Sequence, residues 1–127
     1  MQNLEFEASW DKSLAGKDRK EIEEIFHKTC NTESQKVSLT PIWQAVNHKS
    51  ELLITVLVHN FTEKELTFQN KRLAYMEKEK ICAIHTFTLQ TLIIKPKVSM
   101  PWTFIFPAES LKNHATFQNG HLVIVNI

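Results

Sequence analysis

One stretch of helical periodicity, followed by apolar residues that alternate or run in short blocks to the end of the chain, predicts a mainly β fold. The class is an immunoglobulin-like antiparallel β-sandwich of about six or seven strands with one N-terminal amphipathic helix. Polar tetrapeptides separate the apolar blocks at intervals of roughly 10–15 residues, as hairpin-connected strands require. A chain of 127 residues has the ordinary size of one domain, so residues 1–127 form one unit around one core.

The elements follow in order. Leu4-Glu-Phe-Glu7 alternates and suits a short edge strand. Over 18–29, Ile22, Ile25 and Phe26 recur on one side while Arg19, Lys20, Glu23, Glu24 and Lys28 occupy the others, which predicts an amphipathic helix. Asp18 followed by Glu21 has the spacing of a capping box. Beyond Asn31-Thr-Glu-Ser34 the period changes, and strands are expected at 37–46, 51–60, 66–76, 81–89, 99–106 and 121–127. Leu52, Ile54, Val56 and Val58 share one face of the second strand and should point to the core; Leu53, Thr55, Leu57 and His59 share the other. Pro41 makes its strand an edge or a bulged one, because proline cannot donate to a ladder. Leu66 and Phe68 are even-numbered while Leu73 and Tyr75 are odd, so one inward face requires a bulge between Gln69 and Arg72. Trp102, Phe104 and Phe106 form an aromatic core stripe between Pro101 and Pro107. With two glycines in the chain, longer loops are expected in place of tight hairpins.

Composition excludes several functions. Fifteen Lys and Arg against fourteen Asp and Glu give a net charge of +1, mixed along the chain, which argues against a nucleic-acid or anionic-membrane surface. No run approaches the ~20 apolar residues of a membrane span, and the first residues do not form a secretory signal, so a cytoplasmic location is expected. There is no nucleophile elbow, and two glycines leave no phosphate-cradling loop. Asn60-Phe-Thr62 matches a glycosylation acceptor but reads as a turn.

Candidate sites are few. His27-x-x-Cys30 and Cys82-x-x-His85 supply a zinc-competent set. Residues three apart converge on a helix, but on a regular strand Cys82 and His85 point to opposite faces, so the set is expected not to assemble and no metal or cofactor is predicted. His85 aligns with Ile81, Ala83, Phe87 and Leu89 and reads as a core histidine. Trp10 and Trp43 lie beside irregular segments, where tryptophan can anchor a partner.

The order of segments resembles the SLAP domain family, found in Firmicute bacteria and associated with S-layer assembly and the accessory Sec export system. The residues that carry the likeness are Trp10-Asp11 before the helix, Ile25-Phe26 at its end, Val37-Ser-Leu-Thr-Pro-Ile42, Leu53-Ile-Thr-Val-Leu-Val-His-Asn60 and, most specifically, the framework motif Pro101-Trp102-Thr103-Phe104-Ile-Phe106-Pro107. Where the family often has a Pro-rich approach to the strand, this chain has Asn31-Thr-Glu-Ser-Gln-Lys36. The resemblance implies a non-enzymatic accessory module that binds a protein partner in envelope or secretion assembly. Binding is expected at the Pro41 edge, beside Trp43, or on the face of Leu53, Leu57 and His59, unless the helix covers that face. Homodimerisation through a sheet edge is compatible with this reading. A zinc protein or metal-dependent enzyme and a small-ligand carrier are the alternatives.

Overall fold

The computed structural model describes residues 1–30, 36–112 and 115–125; the Asn31–Gln35 departure from the family pattern lies outside them, as does the end of the strand expected over 121–127. The elements are β1 (Asn3–Leu4), α1 (Ala8–Ser13), α2 (Gly16–Thr29), β2 (Val37–Val46), β3 (Leu52–Asn60), β4 (Leu66–Glu77), β5 (Lys80–Ile94), β6 (Val98–Phe106), a 3-10 turn (Ala108–Ser110) and β7 (His121–Ile124). The fold is mainly β.

Two sheets divide the strands, one ordered β1-β6-β3-β2 and the other β5-β4-β7. All pairings are antiparallel except β1 with β6, which is parallel. Leu52, Ile54, Val56 and Val58 of β3 are fully buried, as their alternation requires, and share one cluster with Phe68, Leu73 and Tyr75 of β4 and Phe87, Leu92 and Ile94 of β5. Aromatic rings join the layers. Phe104 lies 5.4 Å from Phe68 and 5.3 Å from Phe87, and Phe106 lies 5.2 Å from Phe87, centroid to centroid, in tilted or edge-on pairs that aromatic quadrupoles favour. Trp102, the third residue of the stripe, is only half-buried and stacks on Trp10 of α1 at 6.5 Å.

The register shows both expected irregularities. It shifts between Phe68 and Lys71, where Asn70 takes φ 54°, and between Pro41 and Trp43. Asn60, at the end of β3, joins the sheets: its amide donates to the carbonyls of Lys64, Ile94 and Lys95, and its oxygen accepts from Thr62 N.

Four readings are corrected. A second, six-residue helix, α1, precedes the expected one; the Glu7 carboxylate caps it by accepting from Ser9 N and Trp10 N, and its length gave no apolar repeat to read. α2 starts at Gly16 with Ala15 at its N-cap and no side-chain cap, so Asp18 lies in the first turn and forms no capping box. β5 continues to Ile94 because a bulge over 90–92, opposite Thr67 and Phe68, resets its alternation. β4 and β5 are joined by the two residues Lys78 and Glu79, with Lys78 at φ 58° in the left-handed role that glycine ordinarily fills.

The long outer strands are interrupted. β2 breaks at Pro41, and β5 carries its bulge and a bridge from Ala83 to Leu111. Among the described residues, no helix is long and apolar enough to cross a membrane.

Candidate functional site

The outer face of the first sheet carries the residues expected to meet a partner. Leu57 and His59 are fully buried there, because Ile22 and Phe26 of α2 lie over them. This corrects the expectation of an accessible face at those two positions. Leu53, further along β3, and Trp43 of β2 are half-buried, and Trp43 borders the helix cluster. Thr103 faces the same side and hydrogen-bonds Thr55 at 2.7 Å. Pro101, Phe104 and Phe106 are buried and serve as framework.

Beneath α2 runs a polar chain. The Thr29 hydroxyl donates to the Ile25 carbonyl at 2.7 Å, which leaves its oxygen to accept from His59 Nε2 at 2.8 Å. His59 Nδ1 then accepts from Ser99 Oγ at 2.6 Å, and Ser99 in turn accepts from the Gln2 amide at 3.1 Å. Phe61 stacks on the imidazole at 4.9 Å. Burial lowers the His59 pKa to about 4, so the ring is neutral near pH 7. A serine donating to a histidine is half of a nucleophile-activating arrangement. Both residues are fully buried, however, and a threonine hydroxyl occupies the orienting position that a carboxylate would hold. The geometry suits fastening the helix to the sheet.

The zinc-competent residues do not assemble. His27 and Cys30 stand at the end of α2, outside the first sheet; Cys82 is in the core between the sheets, and His85 shares β5 with it, edge-on to Phe87 at 4.9 Å. Among the described residues no three His, Cys, Asp or Glu side chains are grouped to hold a metal ion. Burial, followed by the charge of Glu77, raises the Cys82 pKa, which disfavours its thiolate. The Asn60 amide of the glycosylation motif is buried and engaged by three carbonyls, so the turn reading stands.

A polar cluster closes one end of the junction between β2 and β7. Glu77 accepts from Tyr75 Oη at 2.8 Å and from the backbone of Thr116 and Phe117 at 2.9 and 2.7 Å. Burial pushes its carboxyl up, but these donors overcome that and hold it at about 2. Gln44 donates to Tyr75 Oη and accepts from Gly120 N, which ties β2 to the residue before β7. A Cβ at Gly120 would lie 2.0 Å from the Tyr75 ring, so only glycine fits.

From that closed end the junction opens into a groove of about 630 Å³ between the two sheet edges. Val37 and Leu39 of β2, Leu66 of β4, and Leu122 and Ile124 of β7 line it, and core side chains reach the surface there. Lys36 and Lys71 are in the lining and, among the described residues, no carboxylate is. Sequence reasoning marked the β2 edge through Pro41 but missed these residues. The readable signal was Lys71, a cation on the register of inward-facing Leu73 and Tyr75.

Such a chain is a mainly β domain with a packed core, one sheet face covered by a helix, and an apolar, cationic groove between two strand edges. It belongs to the SLAP domain family, whose model matches residues 4–126. No curated protein and no solved structure matches it.

Proposed function

We propose that this SLAP domain is a non-catalytic, cytoplasmic protein-interaction module that holds an extended segment of a partner in the groove between β2 and β7. The observation that carries the reading is the lining: among the described residues, six aliphatic side chains, two lysines and no carboxylate, between two strands that each end a sheet. Strand edges offer unpaired backbone groups, and alternate pockets select side chains, so the fitting ligand is an extended peptide of alternating apolar residues with an acidic group for Lys71. Family membership supports a partner in S-layer assembly or protein export. We also infer that the domain is an immunoglobulin-like variant; hairpin β2–β3 in one sheet and hairpin β4–β5 in the other, with β6 returning to β3 and β7 to β4, support this.

The test is affinity capture from host extract with the native chain and with Lys71→Glu and Val37→Asp. Both variants should keep the native β-sheet circular dichroism and lose at least tenfold of an envelope or export component that the native chain retains. Folded variants that capture that component at the native level would overturn the groove reading.

A further inference from the structure

α2 and Trp10 lie over the outer face of the first sheet, on Leu57 and Trp43. Among the described residues the second sheet has no such cover, and its register fixes what it shows. Leu73, Tyr75 and Leu122 point into the core, so Ala74 points out, with Ile84 and Val123 paired on either side of it. Met76 with Ile81 and His121 makes the row on one side of Ala74, and Arg72 with Thr86 and Val125 makes the row on the other. Ile81, Ile84, Val123 and Val125 are 39–52% exposed, and they are half of the eight large apolar side chains exposed among the described residues.

We propose that this face is a dimer interface, in which the second sheets of two copies of the chain pack face to face across a two-fold axis at Ala74. It is separate from the β2/β7 groove and does not rest on it. The four exposed aliphatic residues present roughly 300 Å² of apolar surface, a patch of the size that marks interaction sites on soluble domains. From the spacings of strands and residues, three rows on three strands give about 500 Å² per copy, so the pair buries about 1,000 Å², the least that a specific interface needs.

The face complements itself. With the axis running across the strands, Ile84 meets Ile84 of the other copy and Val123 meets Val123. Arg72, the one Lys, Arg, Asp or Glu in these three rows, then falls against Met76 of the other copy and not against its own counterpart. Ala74 is 2% exposed and has no side chain beyond Cβ, so the sheets can close at the axis to the spacing of about 10 Å that packed sheets adopt. A net charge of +1 sets up little long-range repulsion between copies. The corresponding face of the first sheet is taken by α2, so assembly stops at two, with a helix on each outside.

Sedimentation equilibrium of the full chain tests this. The native chain should pass from monomer to dimer with a Kd of about 10–100 µM, the weak affinity expected at this interface size, and should form nothing larger. Ile84→Lys sets two cations against each other at the proposed contact and should weaken the dimer at least tenfold while the β-sheet circular dichroism is kept. Ile81→Lys, beside the β4–β5 turn, should act in the same direction and carries the test if Ile84→Lys does not fold. Both positions lie on β5, outside the groove lining. Ile105→Lys is the control: Ile105 is 46% exposed but belongs to the first sheet, and its variant should dimerise as the native chain does. A native chain that stays monomeric at about 1 mM overturns the proposal. So does a folded Ile84→Lys or Ile81→Lys chain with native affinity, growth beyond the dimer, or an equal loss in Ile105→Lys, which would mean undirected apolar association.

Discussion

His59 shows what burial does to one side chain. Its neighbours are hydroxyls and aromatic rings, none of which compensates a positive charge, so the folded state holds the ring neutral down to about pH 4, against an ordinary 6.5. As pH falls the unfolded chain takes up the proton first, so stability present above pH 6.5 is lost progressively toward pH 4. The expected loss between pH 7 and pH 4.5 is about 2–3 kcal/mol, at 1.36 kcal/mol per pKa unit. Urea unfolding across that range measures it, and His59→Gln should flatten the profile. Glu77 contributes in a separate window, since its carboxyl protonates from the ordinary 4.5 in the unfolded chain down to about 2 in the folded one. The sequence placed His59 on the second face of its strand and His85 among apolar neighbours. It could not reveal the Thr29 and Ser99 partners, which lie 30 and 40 residues away in the chain.

Among the elements, strands whose alternation was regular were legible and those that a bulge reset were not. The core face of β3 followed from period two, and the kinks at Pro41 and Gln69–Arg72 followed from proline chemistry and from parity. The last third of β5 was missed because residues 90–92 interrupt the pattern, and α1 because six residues are too few to show one. The β4–β5 turn falls in the polar tetrapeptide Glu77–Lys80, as the pattern placed it, but its tightness was missed for want of a glycine, and the structure uses Lys78 at φ 58° instead. A non-glycine residue held there carries strain, so Lys78→Gly should raise stability by about 0.5–1 kcal/mol after glycine's greater unfolded-state entropy is allowed for. Chemical denaturation would show this as a higher midpoint with an unchanged slope; a lower midpoint would mean that Lys78 is unstrained.

In the whole molecule, the aromatic ladder is the joint between the sheets. Phe104 touches rings from both β4 and β5, so Phe104→Ala should cost about 3–5 kcal/mol, whereas Leu53→Ala, on the outer face, should cost far less. Equal midpoint shifts for the two variants would remove Phe104 from that role. Pattern alone identified the aromatic members and the β3 face of this core, but not Leu92 and Ile94, nor how the strands are dealt between sheets, because hairpins β2–β3 and β4–β5 carry the same local signals on either side. The groove escaped notice for the same reason: its walls come from strands far apart in the chain. Pro41 and the 90–92 bulge both interrupt strands at the perimeter of their sheets, where identical copies could otherwise pair. A cross-β fibril grows by laying flat, unbroken strands in register, and a proline and a bulge on the perimeter strands twist and interrupt the edges that would template it.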